Sequence, residues 1–129
     1  MEIPFRTALL AWLAADAVLA GQLNAIVEEA PSRTAQPWLA LAASASADWS
    51  TKEQTGREIR VALELHCRGD QSDAAAILVS RIEKRIGLLP ADQTTFQVAS
   101  TTFLRARAEM RSANTRAVLL EFRFRVLAS

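Results

Sequence analysis

At 129 residues the chain is long enough for one buried core and too short for two. Half of its residues are hydrophobic and 22% are charged, the balance of a globular domain rather than of a disordered or fibrous chain. Formal net charge is +1, so no global field draws the protein toward nucleic acid or a membrane surface.

The first elements follow from periodicity. Pro4 suits the opening turn of a helix, where its missing N–H costs no hydrogen bond. Phe5, Leu9, Trp12 and Leu13 then recur at helical spacing, with Ala8 on the same side. Asp16 reads as the N-cap of a short second helix through "AVLA", ended at Gly21. The run "ALLAWLAADAVLAGQ" lacks the marks of a secretory signal or a membrane span. Glu2 accompanies Arg6 ahead of it, Asp16 interrupts it, and a span needs about 20 apolar residues. A single cysteine, Cys67, permits no intrachain disulfide, and the expectation is a soluble protein of a reducing, cytoplasmic compartment.

A β-like piece at Ile26 and Val27 leads into a loop punctuated by Pro31 and Pro37, and "WLALAASAS" resumes with a loose strand pattern. "ADWSTKEQTGR" is polar, closes at Gly56, and reads as a turn or hairpin tip. In "REIRVALELHCR" the period is two: Ile59, Val61, Leu63, Leu65 and Cys67 point one way, and Glu58, Arg60, Ala62, Glu64 and His66 the other. "GDQSDAAAILVSRIEKRIGLLP" returns to helical spacing. Ser72 is its expected N-cap, Asp73 suits the positive end of the dipole, and Ala75, Leu78, Val79, Ile82 and Ile86 form its apolar stripe. Arg81, Lys84 and Arg85 occupy the last turns before Gly87 and Pro90 stop it.

Two long strands finish the chain. In "FQVASTTFLRARAEMR" strict alternation places Val98, Thr102, Leu104, Ala106, Ala108 and Met110 on one side, and Phe103, Arg105, Arg107, Glu109 and Arg111 on the other. After the turn "SANT", where Asn114 is the residue expected at positive φ, "RAVLLEFRFRVLA" runs back with Leu120, Phe122, Phe124 and Val126 toward the core. The sum is one α+β domain over residues 1–129: an antiparallel sheet of four or more strands with two main helices packed on one face. A sheet covered on one side only leaves a polar face, here Arg60, Glu64, Arg105, Arg107, Glu109, Glu121, Arg123 and Arg125.

Catalytic chemistry finds little to use. His66 and Cys67 are the only residues of their kinds, and as strand neighbours they point to opposite faces, which excludes a Cys–His pair between them. Cys67 reads as a buried structural thiol and His66 as a surface contact. Metal sites need several convergent ligands, and the four glycines are scattered singly, so no metal, cofactor or phosphate loop is expected and the chain reads as a non-enzyme.

The row of charge allows two readings. Any exposed sheet face needs charge for solubility, and Arg–Glu cross-strand pairs contribute roughly 0.2–1 kcal/mol each. Alternatively the face packs on a neighbouring subunit or lines a channel. Between residues 105 and 125 six arginines stand against two glutamates, so the strip is locally basic and suited to phosphates without base specificity. Phe103 is the only aromatic expected beside it, thin for a platform that stacks single strands. Trp38 and Trp49 flank loops, as interface anchors or, for Trp38, core filling.

Taken together, the chain resembles the small tail-completion or tail-terminator proteins of long-tailed bacteriophages and gene transfer agents. The segments that carry the resemblance are "PFRTALLAWLAADAVLAGQL", "IVEEAPSRTAQPWLAL", "REIRVALELHCRGDQSDAAAILVSRIEKRI" and the arginine-rich closing hairpin, nearly end to end. One departure is at His66–Cys67, where that family more often carries an aromatic residue at a strand end. The resemblance implies a non-enzymatic homo-oligomeric ring, a hexamer, that caps the tail tube at its head-facing end and offers a surface to head-completion or neck proteins. It further implies a charged sheet face turned to a lumen through which DNA passes without sequence-specific binding. The protein would be made in the cytoplasm of a bacterial host and end in the particle at the head–tail junction, with no membrane partner. The loop with Asp48, Trp49, Lys52 and Glu53 is the expected docking element. A head-closure or neck adaptor of the same assembly, and a small non-specific nucleic-acid-binding module, are the alternatives.

Overall fold

The computed structural model describes all of residues 1–129. Three helices, α1 (Glu2–Ala14), α2 (Ala17–Gln22) and α3 (Ser72–Gly87), lie against one face of a five-stranded sheet. Its strands are β1 (Ile26–Val27), β2 (Trp38–Asp48), β3 (Gly56–Arg68), β4 (Phe96–Arg111) and β5 (Thr115–Ala128), in the order β1-β2-β3-β5-β4. Every pairing is antiparallel except that of β1 with β2, which makes the sheet mixed at one edge. The expected α+β class holds, with α1 and α3 as the main helices and α2 a helical turn.

The core is where the two periodicities meet. Phe5, Leu9 and Leu13 of α1 and Ala75, Leu78, Ile82 and Ile86 of α3 press on Ile59, Val61, Leu63 and Leu65 of β3 and Leu120, Phe122, Phe124 and Val126 of β5. Phe5 is fully buried, with its ring centroid 4.6 Å from that of Phe124 and 6.1 Å from that of Phe96. Burying side chains of this kind stabilises the fold by about 1.5–3 kcal/mol each in transfer terms, before chain entropy is subtracted.

Polar clamps set the helix angles. Asp16 accepts from Leu19 N at 3.2 Å, capping α2, and takes a two-pronged contact from Arg81 of α3 at 2.9 and 2.6 Å. Those hydrogen bonds, led by Arg81, hold its carboxyl below the usual range although burial opposes them. Trp12 Nε1 donates to the Arg85 carbonyl at 2.7 Å, while Arg85 Nε donates back to the Trp12 carbonyl and its guanidinium lies 3.3 Å over the indole ring. Arg81 and Arg85 therefore join helices, a use that the dipole argument did not anticipate. The α3 N-cap is Gln71, without a side-chain cap bond, rather than Ser72.

Strand β4 departs from strict alternation. Register shifts between Val98 and Ser100 and between Phe103 and Arg105 mark two bulges. Each bulge inverts the side-chain parity downstream, so two of them invert only the stretch between. Val98, Ala106, Ala108 and Met110 keep the side expected of them, whereas Thr101 and Phe103 turn to the helix side and Thr102 to the open side. Phe103 meets Phe122 edge-on with centroids 5.5 Å apart. The closing turn holds both Ala113 (φ 58°) and Asn114 (φ 54°) in the left-handed region, where only Asn114 was expected.

Candidate functional site

The face of the sheet without helices is built in rows by the strand register. One row runs Trp38, His66, Ala117 and Glu109; the next runs Ala40, Glu64, Leu119 and Arg107. Further rows bring Ala43, Ala62, Glu121 and Arg105 together, then Ala45, Arg60, Arg123 and Thr102, then Ala47, Glu58, Arg125 and Ser100. All eight charged residues expected on this face are on it. Strand β2 supplies Trp38 and four alanines, so the charge is confined to β3, β5 and β4.

Most of that charge is paired. Arg105 bonds Glu121, and this contact holds the Glu121 carboxyl below its ordinary range. Arg111 reaches Glu64 at 2.5 Å and Glu109 at 2.8 Å. Glu58 lies 3.1 Å from Arg125 and 3.9 Å from Arg123. Burial pushes the Glu64 carboxyl up, but hydrogen bonds from His66 and Arg111 outweigh it and the net shift is down. Counting Glu58 and Arg111, which the alternation also marks, six arginines (Arg60, Arg105, Arg107, Arg111, Arg123 and Arg125) oppose four glutamates. The two in excess are identifiable: Arg60 and Arg107 have no carboxylate within 4.0 Å, the limit that defines these pairs. Arg116, one of the six arginines in the sequence strip, does not belong to the face. It lies opposite Cys67 on the helix side and donates to the Gly69 carbonyl at 3.2 Å.

Between Ala43, Ala45 and Ala62 on the floor and Arg60, Leu104, Arg105 and Glu121 on the walls lies an open hollow of about 470 Å³. Its lining holds two guanidinium groups, one carboxylate and Ser44, whose hydroxyl donates to Glu2 and accepts from Arg6, with no group of residues placed to hold a metal. His66 is buried rather than exposed: its ring stacks on Trp38 at 3.9 Å, and Nε2 sits 2.5 Å from Glu64 Oε1. Trp38 accordingly covers the open face instead of filling the core. Cys67 points into the core on the other side, and burial raises its thiol. With Phe103 turned to the helix side, the arginine rows themselves carry no aromatic side chain, and the Trp49 ring approaches them at Arg125.

The expected docking loop is a compact turn. Trp49 N donates to the Gly56 carbonyl at 2.9 Å and Thr51 N to that of Gln54 at 2.9 Å, while Ser50 Oγ bridges Asp48 and Gly56. The Gln54 amide fastens it to the Ala128 carbonyl, and the Trp49 ring lies 5.5 Å from the Arg125 guanidinium. Asp48, Lys52 and Glu53 are exposed along it.

Comparison with known proteins agrees with this geometry. The profile of the family described as Tail completion protein gp17 matches residues 7–127. A chain in the solved structure "Virion of native gene transfer agent (GTA) particle" superposes with a TM-score of 0.81 at 22% identity, covering 94% of this chain and 92% of that one, a likeness of fold. Among curated proteins no match is found. No helix is long and apolar enough to cross a membrane. The chain belongs to the tail completion protein family, and it is a structural protein of phage-type tails rather than an enzyme.

Proposed function

We propose that copies of this chain close into a ring, a hexamer, that caps the tail tube at its head-facing end in a bacteriophage or gene transfer agent. The open face of the sheet lines the lumen, the helices lie outside, and a head-completion or neck protein docks on the ring. The chain is made in the bacterial cytoplasm and ends at the head–tail junction. The turn carrying Asp48, Trp49, Lys52 and Glu53 meets the tube.

The observation that carries this reading is the internal pairing of the open face. DNA has to slide through a lumen, so a dense field of free cations would hold it. Two unpaired arginines per subunit correspond to a slope of only about −2 in log affinity against log salt, too shallow for a monomer to act as a nucleic-acid binder. The dimensions also fit. The four long strands span about 19 Å at a strand spacing of ~4.8 Å, and six such widths close on a circle about 37 Å across, room for a duplex with side chains on the wall.

Cryo-microscopy of particles containing the chain tests this. The expected density is a ring between tube and head with Arg60, Arg105, Arg107, Arg123 and Arg125 toward the lumen or a neighbouring subunit. A ring with these residues facing bulk solvent, or the chain located elsewhere in the particle, refutes the reading.

A further inference from the structure

We infer that the ring closes by apposing the β4 edge of one copy to the β1–β2 edge of the next, with Arg107 entering the acidic notch formed by Glu29, Glu64 and Trp38. This rests on the ring reading above and specifies its contact. Both sheet edges are open. β4 is the terminal strand, covered on its outer side only at Phe96–Val98, where residues 91–93 fold back on it, and β1 pairs only with Leu39 and Ala40, so β2 has no strand partner on its outer side beyond Ala40. A long unpaired edge is a liability that a protein has to cover or blunt.

The two edges match in direction, in level and in charge. β2 and β5 run one way, and β3 and β4 the other. Rotation about an axis along the strands therefore presents β4 antiparallel to β2 of the next copy. The level is fixed by one row of the sheet, Val27, Ala40, Glu64, Leu119 and Arg107, which ends at the β1 edge on one side and at the β4 edge on the other. Glu28 and Glu29 follow Val27 directly. Arg107 is exposed and without an ion pair; Glu29 is likewise exposed and unpaired. Glu28 is held by Arg6 at 2.9 Å, so Glu29 is the free carboxylate at this level.

Between them the acceptor edge has a hollow of about 210 Å³ lined by Glu28, Glu29, Trp38, Ala40, Ala42 and Glu64. Glu29 is free to take a planar guanidinium in its plane, while Glu28 and Glu64, already paired with Arg6 and with His66 and Arg111, make the hollow acidic around it. The bulges at Ala42 in β2 and Leu104 in β4 disturb the ladders at both edges, which favours a side-chain contact over indefinite strand addition. Because the two patches differ, the contact is head-to-tail and closes only by rotation.

Charge reversal with mass measurement tests this. Native mass spectrometry and sedimentation are run on the wild-type chain, R107E, E29R, the double variant, an equimolar mixture of the single variants, and K84E, on the exposed side of α3, as a control for net charge. The expected result is a ring for wild type and K84E. Each single variant shifts to monomer, its half-assembly concentration rising about tenfold or more. The double variant regains the ring. The mixture regains it with the two chains alternating, so only even-numbered rings form. Thermal melts establish that each single variant is folded. Single variants that assemble like wild type, or a mixture that stays monomeric, overturn this contact while leaving the ring itself standing. A wild-type chain that stays monomeric at every concentration overturns both.

Discussion

Truncating Phe5 to alanine measures how firmly α1 is joined to the sheet. Phe5 is fully buried and packs between Phe124 and Phe96, so the substitution leaves a cavity in rigid surroundings. The cost for such a change is about 3–5 kcal/mol. For 129 residues the unfolding entropy near the midpoint is about 0.27 kcal/mol per degree, so Tm falls by roughly 11–18 °C. Phe103→Ala is the matched comparison: 46% exposed, with one edge contact on Phe122, it costs about 1–2 kcal/mol. Urea titration at several protein concentrations separates folding from assembly, and an unchanged m-value assigns the shift to stability. A Phe103 variant as costly as the Phe5 variant, or a Phe5 loss below about 1.5 kcal/mol, refutes the packing described here.

Two further outcomes follow from named contacts. Asp16, Glu2, Glu64 and Glu121 all have folded-state values below their ordinary ones, so the unfolded chain binds protons first as pH falls. The stability they contribute is complete above the ordinary carboxylate values of 3.8 and 4.5 and is lost as pH drops through the depressed ones. Stability followed by denaturant titration is therefore level from neutrality to about pH 5 and falls below about pH 4; a decline beginning near pH 6 contradicts these pairings. At Gly56, a Cβ would collide with the backbone carbonyl of Trp49, whereas at Gly69 it meets the ends of the Asn114 and Met110 side chains. Gly56→Ala is expected to cost about 1–3 kcal/mol and to loosen the 49–55 turn in hydrogen exchange, with Gly69→Ala milder; the reverse order rules out the close approach.

Much of the fold was legible because each long element buries one face against the others. The alternation in β3 and β5, and the helical stripe of α3, put 59, 61, 63, 65, 120, 122, 124 and 126 in the core as expected. In β4 the same rule misplaced Phe103 and Thr102. A bulge leaves no mark in a strand whose outer half, from Phe103 to Met110, buries little on either face. Ala113 was missed because alanine is a poor left-handed residue; the turn geometry imposes that conformation on it. The charged face was visible as a set but not as pairs. Which arginine meets which glutamate depends on register, and Arg60 and Arg107 look like their neighbours until β3, β5 and β4 are aligned. His66 was read as exposed because strand parity tells which face a residue occupies, not that Trp38 from the adjacent strand lies over it.

The register also explains how the open face accommodates so much arginine. Arg60 lies directly opposite Arg123, a like-charge cross-strand neighbour that taken alone is destabilising. Glu58 and Glu121 flank that row on either side. Glu58 reaches Arg123 and Arg125, and Glu121 is drawn down in part by Arg60. These two carboxylates each act on more than one guanidinium, so the surplus positive charge is spread along the face instead of concentrated at one point. A surface arranged this way attracts a polyanion weakly over its whole length and nowhere binds it tightly. Replacing Glu121 by glutamine would free Arg105, and replacing Glu58 would free Arg123 and Arg125, whereas Arg111 keeps a partner when either Glu64 or Glu109 is lost and removing Arg60 or Arg107 leaves the pairs intact. Weak, distributed attraction is what the proposed lumen requires, and it comes from the positions of four glutamates as much as from the six arginines.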